Sequence, residues 1–125
     1  MKTETVGQTV LETWSPEETA AAWDPSAIVL IDVRTAQEYA LERIEGALLL
    51  PMPEFDARKL PGQGEKQIVF HCGSGVRSEK VARACIEAGL GPVAHMDGGF
   101  AAWKKAKYPY IGTNLATGAP QRMNG

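Results

Sequence analysis

Short continuous apolar runs and stretches of helical period alternate along this chain. Ala27-Ile28-Val29-Leu30-Ile31 and Gln67-Ile68-Val69-Phe70-His71 are rich in β-branched residues and unbroken by charge, the pattern of strands buried on both faces of a parallel sheet. Thr9–Glu12, Ala47–Leu50 and Pro92–Met96 read as three shorter strands. Between them lie the helices. Ser15-Pro16-Glu17-Glu18 opens the first: serine caps, proline suits the first helical position, and Glu18 completes a capping box. That helix is predicted to end before Asp24-Pro25, because a residue preceding proline is pushed out of helical geometry. Thr35 and Glu38 form a second capping box, opening a short helix through about Arg43. Val81, Ala82, Cys85, Ala88 and Gly89 share one face of a helix over 78–89, and a fourth helix runs from about Phe100 to Lys107, with Pro109 as its stop signal. Strands alternating with helices predict a three-layer α/β/α domain around a mostly parallel central sheet of about five strands.

Outside this pattern, residues 1–8 read as a loose polar arm ahead of a domain spanning 9–110. Residues 111–125, rich in glycine, proline, threonine and asparagine, read as a tail that is disordered or lies over the surface. The stretch Pro51–Gly64 is expected to be the most variable and mobile, with room for one short helix over about 54–60.

The length of 125 residues fits one domain with a core that needs no staple. A net charge of −2 gives no electrostatic footprint for nucleic acid. No run reaches the ~18 apolar residues of a membrane span, and Met1–Thr5 lacks the apolar core of a signal peptide. A cytoplasmic protein without membrane or nucleic-acid partners is therefore expected.

The candidate chemistry sits between the strand ending at His71 and the helix that follows it. His71-Cys72-Gly73-Ser74-Gly75-Val76-Arg77-Ser78 places a cysteine at the end of a buried strand, then two glycines, then a helix start. Parallel sheets carry their ligand sites at such strand ends. Backbone N–H groups from Gly73 to Ser78 are positioned to converge on the sulfur, and the helix N-terminus and Arg77 favour thiolate over thiol. Cys72 is thus the candidate nucleophile. Cys85, in the packing stripe of the helix, reads as core, and at 1.5 Å rise per residue it stands roughly 13 Å from the loop, too far for a disulfide. Arg77 either binds an anion or braces the loop, with Asp32 a candidate partner. Asp32 reads as structural support, Arg34 stays open between a structural ion pair and a substrate contact, and Glu38 reads as a helix cap. His71 lies next to Cys72, so their side chains point to opposite faces of the strand and a dyad is not expected. His95 reads as an ordinary strand or loop histidine. Gly98-Gly99 reads as turn chemistry, and no metal site is supported.

Cys-x-x-Gly-x-Arg after a hydrophobic strand resembles the active-site loop of rhodanese-type sulfurtransferases. The likeness extends to Asp32-Val33-Arg34 with Glu38-Tyr39, to Ile44-Glu45-Gly46-Ala47, and to Gly98-Gly99-Phe100 with Trp103, in the family's order and over about residues 9–110. The resemblance implies a rhodanese-like fold and a double displacement. In it Cys72 takes a sulfane sulfur from thiosulfate, glutathione persulfide or polysulfide, holds it as a persulfide, and passes it to a thiol or cyanide, with no metal or organic cofactor. A protein acceptor fits the same chemistry.

Two other classes are weighed against this. Phosphatases and arsenate reductases resemble Cys-x5-Arg, whereas only Gly73, Ser74, Gly75 and Val76 separate Cys72 from Arg77 here. A non-catalytic binding module commonly lacks the cysteine that this chain keeps. Many family loops carry a basic residue just after the cysteine, where this chain has Gly73, so thiosulfate is expected to be a poorer donor than a persulfide.

Overall fold

The computed structural model describes residues 1–24, 27–60 and 66–124. Strands β1 (Lys2–Val6) and β2 (Thr9–Trp14) form an antiparallel hairpin. The chain continues through α1 (Pro16–Ala22), β3 (Ile28–Asp32), α2 (Ala36–Leu41), β4 (Glu42–Arg43) and β5 (Leu48–Leu49). Two 3-10 turns at Met52–Glu54 and Ala57–Lys59 precede β6 (Gln67–His71), α3 (Val76–Glu87), β7 (Val93–Met96) and α4 (Gly99–Lys105). A second hairpin, β8 (Pro109–Thr113) and β9 (Pro120–Asn124), ends the fold.

The central sheet has the order β1-β2-β7-β6-β3-β5, parallel throughout except for the β1–β2 pair. Successive residues of each strand feed opposite faces, which the burial pattern follows. Ile31 and Val33 at the β3 end, with Ile68, Phe70 and Cys72 at the β6 end, pack under Val81, Ala82 and Cys85 of α3. On the other face Leu30, Val69, Ala94 and Met96 meet Phe100 and Trp103 of α4, with Ala20 and Ala22 of α1 against the same cluster. This is the three-layer α/β domain with a mostly parallel sheet that the sequence pattern implies.

Both capping boxes form as read. The Ser15 and Thr35 side chains each accept from the N–H three residues on, and Glu18 and Glu38 accept from the cap N–H in return. Four expectations need correction. Residues 2–6 are not a loose arm: Gly7, at φ +62°, turns them back onto β2 as an edge strand. The tail forms β8 and β9, which pair with each other and with β4 as a separate three-stranded sheet. Pro109 accordingly opens a strand as well as following a helix. The helix expected over 54–60 resolves into the two 3-10 turns, broken where Phe55 and Asp56 take extended backbone; residues 61–64 of the stretch Pro51–Gly64 lie outside the described ones. The second helix also stops at Leu41, two residues early, because Glu42 and Arg43 pair with β8.

Candidate active site

The chain turns sharply where β6 ends. Cys72 is wholly buried, while Ser74 and Val76 on the crest of the loop are exposed. Gly75 makes the bend possible. It sits at φ +103°, and a Cβ there would stand 3.2 Å from the Gly98 nitrogen, so glycine alone fits without strain. The Gly75 N–H donates to Cys72 Sγ at 3.0 Å, and Ser78 Oγ lies 3.7 Å from the same sulfur. Burial raises the thiol pKa, but hydrogen bonds from the Ser78 backbone and hydroxyl and from the Ser74 and Gly75 N–H groups outweigh it and leave the thiol below its ordinary value. Cys85, buried with no such donors, is pushed up to about 11. The two cysteines are both free and chemically unlike.

Beneath the loop lies the start of α4. The Phe100 N–H donates to the Cys72 carbonyl at 2.7 Å and the Ala101 N–H to the Gly73 carbonyl at 3.1 Å. Gly98-Gly99 does serve as turn chemistry, both residues having positive φ.

Arg77 braces the loop, and its partner is Glu38, not Asp32. Nη1 and Nη2 of Arg77 meet the two Glu38 carboxylate oxygens at 2.7 and 3.1 Å. The guanidinium beside Glu38 holds that carboxyl down at about 2. Glu38 therefore works twice, as helix cap and as the arm that carries Arg77. Asp32 faces elsewhere. It is fully buried against Arg34, whose Nε and Nη2 donate to its carboxylate at 2.8–3.0 Å. Arg34 also donates to the Glu42 carbonyl and stacks on Phe100 at 4.6 Å. Of its two open readings, the geometry is that of a structural pair, although Arg34 also lines a cavity of about 290 Å³ beside Gly73, with Leu41, Ala101 and Lys104.

His71 stacks on Phe100, with Nε2 3.7 Å from Asp32, on the face of the sheet opposite Cys72. Burial holds its pKa below the ordinary histidine value. His95 lies in strand β7, as its sequence reading has it, and its Nδ1 is 3.2 Å from Ser78 Oγ, so it stands one residue removed from the sulfur. Nothing in the local sequence signals this, since the contact bridges β7 and α3. Among the described residues no cluster of His, Cys, Asp and Glu could hold a metal, and no helix is long and apolar enough to cross a membrane.

This loop, at the end of β6 in this sheet order, is matched by a family profile described as "Rhodanese-like domain" over residues 15–106. The chain belongs to the rhodanese-like family. The domain is 32% identical over 88 residues to a sulfurtransferase of Allochromatium vinosum, covering 70% of this chain and 82% of that one. It is 34% identical over 87 residues to a thiosulfate sulfurtransferase of Coxiella burnetii, covering 70% of this chain and 80% of that protein. The match to an uncharacterized protein of Synechocystis, 34% identical over 90 residues, spans 72% of this chain but half the length of that relative. A rhodanese-related protein of Thermoplasma volcanium shares the fold, with a TM-score of 0.70 at 21% identity over 80% of this chain and 97% of that one. A Rhodopseudomonas palustris structure described as a possible tyrosine phosphatase matches with a TM-score of 0.64 at 29% identity, over 77% of this chain and 81% of that one.

Proposed function

We propose that this rhodanese-like domain is a sulfurtransferase working by double displacement through Cys72. The observation that carries the reading is the Gly75 N–H at 3.0 Å from a thiol whose pKa is lowered despite burial. The Cys72 thiolate attacks the sulfane sulfur of a donor, whose remaining fragment leaves with the electron pair of the broken bond; the Cys72 persulfide then gives that sulfur to a thiol or cyanide acceptor. Gly73, Ser74, Gly75, Val76, Arg77 and Ser78 form the anion-stabilising loop. The N–H groups of Ser74, Gly75 and Ser78 are its inner donors, and Arg77 is its brace. Asp32 and Arg34 support the strand end beneath it. The covalent step divides the transfer into two, and the lowered thiol pKa favours the thiolate nucleophile.

For phosphoryl chemistry the loop is short by one residue, and Arg77 is occupied by Glu38 rather than turned over the sulfur. The donor class follows from charge. Gly73 brings no cation, and Arg77 is already paired, so a dianion such as thiosulfate gains little at the loop, while glutathione persulfide or a polysulfide needs no second positive charge. A persulfide donor, and a thiol or protein acceptor in the cytoplasm, fit this site best. Steady-state transfer with thiosulfate and glutathione persulfide side by side, each against varied acceptor, tests the reading. Parallel double-reciprocal lines with the larger kcat/KM for the persulfide support it. Intersecting lines, or a larger kcat/KM for thiosulfate, contradict the double displacement or the donor assignment respectively.

A further inference from the structure

Cys72 shows no exposed surface in this structure, and its proton must leave before the sulfur can attack. A chain of hydrogen-bonding side chains runs inward from it on the α3 face of the sheet. Cys72 Sγ is 3.7 Å from Ser78 Oγ, Ser78 Oγ is 3.2 Å from His95 Nδ1, and His95 Nε2 is 3.3 Å from Thr13 Oγ1. Three adjacent elements supply it: α3, β7 and β2. Ser78 is fully buried and His95 is 3% exposed, whereas Thr13 is only half-buried and lines a surface cavity of about 110 Å³ with Glu18 and Asp97. A histidine so enclosed is costly unless both ring nitrogens find partners, and here both do.

We propose that His95 is a positioning residue for the Cys72 thiol, acting through Ser78 by reversing the direction of this hydrogen-bond chain as the sulfur loses its proton. The inference rests on Cys72 being the reacting thiol. In the thiol form Sγ–H donates to Ser78 Oγ, the Ser78 hydroxyl donates to His95 Nδ1, and Nε2–H donates to Thr13 Oγ1. In the thiolate form each bond runs the other way, and the Ser78 hydroxyl donates to the sulfur anion. Passing between them breaks the S–H bond. The Cys72 proton moves to Ser78, the Ser78 proton to Nδ1, the Nε2 proton to Thr13, and the Thr13 proton to water. One proton leaves, one negative charge stays on sulfur, and nothing is oxidised or reduced.

The imidazole stays neutral in both forms and only changes tautomer, which suits its surroundings: burial holds His95 below its ordinary pKa against the opposing pull of Glu79 and Asp97, and Arg83 of α3 adds a further positive charge nearby. The Ser78 hydroxyl also lies within donating distance of the Gly75 carbonyl, at 3.2 Å, so that carbonyl competes with the sulfur for its proton.

The test is the pH profile of Cys72 alkylation by iodoacetamide, read by peptide mass, for wild type, His95→Leu, His95→Asn, Ser78→Ala and the Ser78→Ala/His95→Leu double variant, each shown folded by its thermal melt. His95→Leu raises the midpoint by about one pH unit, the order expected for one hydrogen bond to an anion. His95→Asn, whose amide nitrogen takes the place of Nδ1, restores most of the shift, and the His95 effect vanishes in the Ser78→Ala background. An unchanged midpoint in His95→Leu, or a shift undiminished by Ser78→Ala, overturns the inference. Sulfur loading of the wild type is scored separately: loading with an unchanged His95→Leu midpoint sinks the relay alone, and a shifted midpoint without loading sinks the sulfurtransferase reading alone.

Discussion

Gly99 presses its α-carbon against the backbone of Cys72. A Cβ built at Gly99 would lie 2.5 Å from the Cys72 carbonyl oxygen, 2.6 Å from the Gly73 carbonyl carbon and 2.7 Å from the Ser74 nitrogen, and its φ is +61°. The glycine pair is thus the floor on which the cysteine loop rests, as well as a turn. Backbone atoms cannot swing aside as a side chain does. Gly99→Ala is expected to cost about 1–2 kcal/mol from the left-handed backbone alone, and more from displacement of the loop. Sulfur transfer is expected to fall about 100-fold, since misplacing a reacting group by about 1 Å costs that much. Thermal melts and donor-saturated rates check this.

The Arg77–Glu38 brace gives a signed pH dependence. Glu38 is depressed from 4.5 to about 2 by Arg77. Its stabilisation is therefore complete above about pH 4.5 and is lost as the pH falls toward about 2. Both side chains are about one-third exposed, so water and salt screen the pair and its effect on stability is small. Melting temperature followed from pH 6 to pH 2 is expected to drop less steeply in Glu38→Gln than in wild type, and added salt is expected to narrow the difference.

Asp32→Asn is expected to be the most damaging single change away from the loop. It removes the charge from a carboxylate that is fully buried against Arg34, itself 5% exposed. Breaking such a pair leaves a buried guanidinium uncompensated, at a cost of about 3–5 kcal/mol. Chemical denaturation of the variant measures it.

The two cysteines are expected to separate cleanly under alkylation. At pH 7.5 iodoacetamide should label Cys72, whose pKa is lowered, and leave Cys85, held at about 11, until the protein is unfolded. Peptide mapping before and after denaturant reads both sites.

Gly73→Arg tests why the loop has one cation fewer. A Cβ at Gly73 would approach Arg77 Nη2 to 3.1 Å, the mobile end of a side chain, so the substitution is tolerable but shifts the brace. Thiosulfate kcat/KM is expected to rise relative to that of glutathione persulfide, and competition assays with both donors measure the ratio.

Much of this was readable from residues close together in the chain. The capping boxes at Ser15 and Thr35, the buried strands at 28–32 and 67–71 and the turn of Cys72 to Arg77 are all local signals, each decided within a few positions. What escaped was set by distance or by polarity. Glu38 and Arg77 meet across 39 residues, and His95 reaches Ser78 from a neighbouring strand. The β1 and β9 strands are mostly exposed, Lys2-Thr3-Glu4-Thr5 carrying no apolar period at all. Such edge strands are fixed by pairing rather than by burial, so hydrophobic patterning is blind to them.

Intact mass after brief exposure to glutathione persulfide or thiosulfate, for wild type and Cys72→Ser, before and after reductant, tests the central claim most directly. The account predicts that the wild type gains the mass of one sulfur atom, that reductant removes it, and that Cys72→Ser gains nothing. A folded wild-type protein with a free Cys72 thiol that gains no sulfur from either donor would contradict it.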